Sequence, residues 1–120
     1  MSEPILVVED DADMREILID LLAAEGYSVV GVSNGREALD QLRAGHRPRV
    51  ILLDLTMPVM DGWEFRARQV ADPSLGSIPV IVMTAMPPNR VDQLVGVRVL
   101  RKPLDLDSLL ELVRRHVGEP

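Results

Sequence analysis

The feature that most limits what this chain can fold into is a set of short, continuous apolar runs with helical patterning between them. Ile5 to Val8, Val50 to Leu53 and Val80 to Met83 contain no polar residue. A strand with one wet face alternates polar and apolar residues, whereas a strand covered on both faces does not. These three runs therefore read as central strands of a parallel sheet. Two further runs, Tyr27 to Val32 and Val97 to Leu100, are interrupted by Ser28, Gly31 and Arg98 and belong at the sheet edges.

The intervening segments carry helix punctuation. Met14, Ile17, Leu18, Leu21 and Leu22 recur at helical spacing, Asp13 with Glu16 suits a capping box, and Gly26 offers a stop. A second helix is expected from an Asn34 cap, with Glu37 three residues on, to Gly45. A third starts near Gly62 and fades before Pro73. The last carries Leu106, Leu109, Leu110, Val113 and Val117 on one stripe and ends at Gly118. Strand and helix alternate throughout with no linker or repeat, which predicts one α/β unit over residues 1–120. Edge placement of the second and fifth strands, with right-handed crossovers, predicts a doubly wound parallel sheet of flavodoxin-like order 2-1-3-4-5.

Composition excludes several function classes. Apolar residues make up 47% of the chain but aromatics only 2%, so the core must be aliphatic. A net charge of −6 lacks the basic footprint of a nucleic-acid binder, and no direct DNA binding is expected. There is no cysteine for a disulfide or a thiolate zinc site, no basic region ahead of the first apolar run, and no run long enough to span a membrane. A cytoplasmic protein without membrane insertion is the expectation.

Chemistry collects where the apolar runs end. Glu9 and Asp10 follow the first, Asp54 the third, Thr84 the fourth, and Lys102 lies just beyond the fifth. Parallel strands bring these ends to one edge of the sheet, and the predicted order puts the switch point between the first and third strands, where Glu9, Asp10 and Asp54 would meet. Crowded carboxylates repel unless a cation or proton intervenes, and an all-oxygen cluster suits a hard divalent ion such as Mg²⁺. Each residue alone has an ordinary reading. An acidic pair commonly caps a helix, Asp54 could cap a turn, Thr84 could be a strand-end hydroxyl, and Lys102 could be a solvated charge. Asp11 and Asp13 read as helix-start residues, Asp61 with Gly62 as a loop turn, and His46 and His116 as solvated or dipole-compensating side chains. The case rests on the combination.

That combination resembles the receiver domains of bacterial two-component response regulators, of the single-domain, chemotaxis-regulator-like kind. ILVVEDDADMREIL looks like the family's acidic-pair strand and first helix. ILLDLTMPVMDGWEF looks like its phosphoacceptor segment, VIVMTA carries its hydroxyl, and LRKPLD its Lys-Pro. Separations of 44 residues from Asp10 to Asp54 and 30 from Asp54 to Thr84 also match. The resemblance implies Mg²⁺-dependent phosphoryl transfer from a sensor histidine kinase or phosphotransfer protein to Asp54, with Thr84 and Lys102 contacting the phosphoryl group. It adds the backbone carbonyl of Thr56 to Glu9, Asp10 and Asp54 as a metal ligand. Such a protein is no conventional enzyme, although it assists its own aspartyl phosphorylation and dephosphorylation, and it acts by binding a downstream protein. The alternative is a pseudo-receiver, a scaffold that signals by interaction without regulated phosphorylation. A haloacid-dehalogenase-like phosphatase is set aside because Thr56 stands where a second acid would be needed.

Two departures from the family pattern stand out. Only 18 residues separate Thr84 from Lys102, about one helical turn of ~3.6 residues fewer than usual, so the fourth helix is expected to be shortened or irregular. Val99 occupies the place where the family generally has Tyr or Phe, so an aromatic ring cannot carry the signal there.

Overall fold

The structure, a computed structural model, describes residues 3–120. Strands β1 (Ile5–Val8), β2 (Val29–Val32), β3 (Val50–Asp54), β4 (Val80–Thr84) and β5 (Arg98–Arg101) alternate with helices α1 (Ala12–Ala24), α2 (Gly35–Arg43), α3 (Gly62–Ala71), α4 (Pro88–Val91) and α5 (Leu106–Val117). All strand pairs are parallel and the order is β2-β1-β3-β4-β5. The edge assignments made from the interrupted runs hold. Every residue of β1, β3 and β4 is buried, whereas β5 has none fully buried.

Period-two alternation splits the central strands between two cores. Leu6, Val8, Ile51, Leu53, Val80 and Val82 face Ala38, Leu39 and Leu42 of α2 and Phe65 of α3. Their neighbours Ile5, Val7, Val50, Leu52, Ile81 and Met83 face Leu18 and Leu22 of α1 and Leu109 and Val113 of α5. The far end of the α1 layer is tied to α5. The Tyr27 hydroxyl donates to the Gly118 carbonyl at 2.7 Å, and Arg114 pairs with Glu25 at 2.6 Å.

Four local expectations need correction. The cap of α1 is Asp11, whose side chain accepts from the Met14 N–H at 3.0 Å, not Asp13, which already lies in the first turn. Asp61 is a helix cap rather than a simple turn residue, accepting from the Glu64 N–H at 2.9 Å. The second strand starts at Val29, because the Tyr27 N–H is still engaged by the Leu22 carbonyl at the end of α1. The fifth runs one residue later than its apolar pattern, Arg98–Arg101, which brings Lys102 directly onto its end. The Asn34 cap on α2 and the glycine stops Gly26, Gly45 and Gly118, all at positive φ, are as expected. So is the shortened fourth helix: α4 has 4 residues and no side-chain cap.

Candidate functional site

β1 and β3 are paired in register, Val8 opposite Leu53, so the next residue on each strand reaches the same edge of the sheet. Carboxylate oxygens of Glu9, Asp10 and Asp54 come within 4.8 Å of one another there. Glu9 and Asp54 are buried, at 1% and 4% exposure, while Asp10 is exposed at the mouth. β4 and β5 bring in the remaining groups. Thr84 lies opposite Arg101, and the Lys102 N–H donates to the Thr84 carbonyl at 2.9 Å, fixing the two ends together. The Lys102 Nζ lies 3.2 Å from Glu9 Oε1 and 3.3 Å from Asp54 Oδ1. The peptide bond from Lys102 to Pro103 is cis.

Backbone contacts hold the acidic strand ends in place. The Glu9 N–H donates to the Val32 carbonyl, and the Glu9 carbonyl accepts from Arg15 Nη1 at 2.8 Å. Sequence reasoning missed Arg15; its only signal is that a residue one turn into α1 can fold back over the β1 end. On the other strand, a Cβ placed on Gly62 would lie 2.6 Å from the Asp54 carbonyl oxygen, closer than van der Waals contact permits. Only glycine lets the start of α3 approach this closely, and the Gly62 N–H then donates to the Leu55 carbonyl at 2.9 Å. Between them Val59 adopts φ 71°, and the Met60 N–H donates across it to the Pro58 carbonyl, a γ-turn in a conformation costly for a β-branched residue.

The electrostatics follow from burial and crowding. Desolvation, then the Asp54 charge, push the Glu9 carboxyl up to about 7, against the opposing pull of Lys102 and the Asp11 N–H. Burial disfavours the Lys102 ammonium, but attraction to Asp54 and Glu9 outweighs it and its pKa is raised. Three carboxylates against one ammonium leave excess negative charge at an all-oxygen site. That donor set and spacing fit a small divalent cation such as Mg²⁺. Thr56 is exposed two residues beyond β3, and its carbonyl accepts no hydrogen bond among the described residues, so it is open to a ligand. The Thr84 hydroxyl oxygen accepts from the Met86 N–H at 2.9 Å, which leaves its proton available for donation.

The sequence model of the response regulator receiver domain matches residues 5–114. The chain belongs to the response regulator receiver family. This receiver is 32% identical over 123 aligned positions to the polar-differentiation response regulator DivK of Brucella anthropi, covering 99% of both chains. It superposes on the receiver domain of a signal transduction histidine kinase from Syntrophus aciditrophicus with a TM-score of 0.89 and 34% identity, covering 98% of this chain and 91% of that one. The receiver domain of a sensor histidine kinase from Pseudomonas aeruginosa matches with a TM-score of 0.88 and 27% identity, over 99% of this chain and 100% of that one. In that protein a magnesium ion is coordinated in the active-site cleft. Membership implies phosphorylation-dependent signalling and protein partners. Among the described residues no helix is long and apolar enough to cross a membrane.

Proposed function

We propose that residues 1–120 act as one receiver unit in which Asp54 accepts a phosphoryl group from a sensor histidine kinase or phosphotransfer protein in the cytoplasm. The observation that carries this reading is the convergence of Glu9, Asp10 and Asp54 within 4.8 Å with the Lys102 ammonium spanning two of them. Glu9, Asp10, Asp54 and the Thr56 carbonyl would hold Mg²⁺. When bound, the ion supplies charge compensation for the phosphoryl oxygens.

The chain's own groups account for the rest. An Asp54 carboxylate oxygen forms the new O–P bond as the P–N bond to the donor imidazole breaks, giving an acyl phosphate. Lys102 is within reach of an oxygen on that phosphoryl group and would exchange a carboxylate contact for it. The Thr84 hydroxyl donates to another. The small side chain of Ala85, exposed beside Thr84, leaves the approach open. Any turn of Thr84 toward the phosphoryl group acts on its bond to the Met86 N–H, at the start of the loosely built stretch leading to β5. The altered surface then binds a downstream protein, which suits a chain of net charge −6 better than DNA.

Intact mass after incubation with a small phosphodonor and Mg²⁺ tests the reading. Wild type is expected to gain one phosphoryl group and Asp54→Asn none; Lys102→Ala is expected to bind Mg²⁺ yet fail to propagate the signal. Undiminished labelling of Asp54→Asn would move the acceptor elsewhere.

A further inference from the structure

The shortened α4 leaves behind a surface that the strand-end chemistry does not use. α4 ends at Val91 and the chain runs on without helix to β5, so an open groove of about 630 Å³ lies between α3 and residues 93–96. Trp63, Arg66, Ala67 and Val70 form one wall; at spacings of three, four and seven they share one face of α3. Gln93, Leu94, Val95 and Gly96 form the other. Val70 and Val95 stand 51% and 81% exposed, so the rim is apolar and nothing among the described residues covers it. Trp63 is held in its wall by its indole N–H, which donates to the Arg90 carbonyl at 3.1 Å, and by the Arg90 guanidinium 5.3 Å from its ring centre.

Arg66 is the anomaly in this groove. It is only 9% exposed, yet it forms no ion pair with a carboxylate among the described residues. Nη1 donates to Gln69 Oε1 at 2.8 Å and Nη2 to the Val95 carbonyl at 3.0 Å, while Nε is buried with no partner. A buried cation with neutral partners only is held at a cost that an incoming anion would offset. Because the lining around Arg66 is mostly apolar, with Gln93 its only other polar side chain, that anion has to arrive on an apolar support. A small carboxylate seated against Arg66 would leave Val70 and Val95 bare.

We infer that this groove docks an amphipathic helix of a partner protein, one carboxylate of that helix meeting Arg66 and its flanking apolar side chains covering Val70, Leu94 and Val95. The α3 wall from Trp63 to Val70 spans about two turns, roughly 10 Å, which suits anchors at i, i+3, i+4 and i+7. The site is separate from phosphoryl transfer, so Asp54→Asn retains it.

Trp63 is the only tryptophan in the chain, so its emission reads this groove directly. The full chain is screened against a displayed library of helix-forming peptides of about twelve residues, varied between Leu, Glu, Gln and Lys on one face. Enriched peptides are expected to carry an acid flanked by apolar residues at helical spacing and to shift Trp63 emission saturably, with dissociation constants on the order of 10–100 μM. Replacing the peptide Glu by Gln should weaken binding about tenfold, as should Val70→Asp or Val95→Asp, which sit at exposed positions and leave the fold intact. In Arg66→Gln the Glu and Gln peptides should bind alike. The inference is overturned if no peptide shifts Trp63 saturably, if Lys-bearing peptides bind as well as Glu-bearing ones, or if Arg66→Gln keeps the preference for Glu. It is also overturned if octanoate reproduces the shift at lower concentrations than any peptide, which would make this a small-molecule site. Sedimentation of the chain alone showing a dimer that buries Trp63 would assign the groove to a second copy instead.

Discussion

β3 and β4 on one side, and the stretch from Ala85 to Val97 on the other, are neighbours in the chain and opposites in construction. Every residue of the two strands is buried, and the helix that follows β3 is capped by Asp61. In α4 only Val91 is buried, Pro87 sits at the cap position, and no side chain closes the helix end. Asp54 and Thr84 therefore stand at the ends of strands that have little freedom, and the segment directly beyond Thr84 has much. A receiver needs both: an acceptor geometry that does not drift and an adjoining surface that is inexpensive to rearrange.

The largest test of this contrast is core truncation. Leu53→Ala, in fully buried β3, should cost about 2–5 kcal/mol in denaturant unfolding, and Leu94→Ala, half-buried after α4, under ~1.5 kcal/mol. Equal losses would mean that the two regions unfold as one equally packed body. Hydrogen exchange probes the same difference without substitution. Amides from Met86 to Val95 should exchange through openings at least ~2 kcal/mol easier than those of Val80–Thr84, and equal protection would break the comparison.

Acid titration separates the regions by chemistry. The Glu9 carboxyl stands at about 7 in the fold against 4.5 for an ordinary glutamate, so between those values the folded state binds more protons than the unfolded one. Metal-free stability should therefore be greatest below about pH 4.5 as far as Glu9 is concerned, and fall by roughly 1–3 kcal/mol as pH rises through about 7. Glu9→Gln should flatten that slope, and a variant that keeps it would assign the proton elsewhere. The smallest expected effect is at the helix starts: Asp61→Ala should lose about 1 kcal/mol, whereas Pro87→Ala should stay within ~0.5 kcal/mol because no cap bond exists to lose.

The sheet was legible because uninterrupted apolar runs have few other readings. Val50 to Leu53 and Val80 to Met83 could only be covered strands, and the polar breaks at Ser28 and Arg98 identified the edges. Convergence of Glu9, Asp10 and Asp54 followed from strand order alone, since parallel strands end together. Local caps were harder to read. Asp10, Asp11 and Asp13 are chemically alike, and what makes Asp11 the cap is its extended backbone (φ −72°, ψ 113°), which no composition rule reveals. Asp61 was hidden by its neighbour, because Asp-Gly is as common in turns as at helix starts. The positive φ of Val59 had no signal at all: valine is among the last residues expected there. Arg66 and Gln69 were invisible for a related reason. Charged and amide side chains are read as surface unless a partner is known, and theirs are each other and the carbonyls of loops that the fold brings alongside α3.

Gln69 also sets where this protein can gain or lose residues. Its amide nitrogen donates to the carbonyls of both Leu75 and Ile78, at 3.0 Å each, clamping the end of the loop that feeds β4. From Ile78 onward the chain is counted residue by residue, because β4 assigns Val80 and Val82 to one core and Ile81 and Met83 to the other. A single insertion between Ile78 and Val80 would swap those faces and leave Met83 where the hydroxyl belongs. The same insertion among Asp72, Pro73 and Ser74, ahead of the clamp, would be taken up as a longer exposed bulge. Length variation in this chain should therefore be tolerated on one side of Leu75 and rejected on the other, although both sides belong to the same connection between α3 and β4.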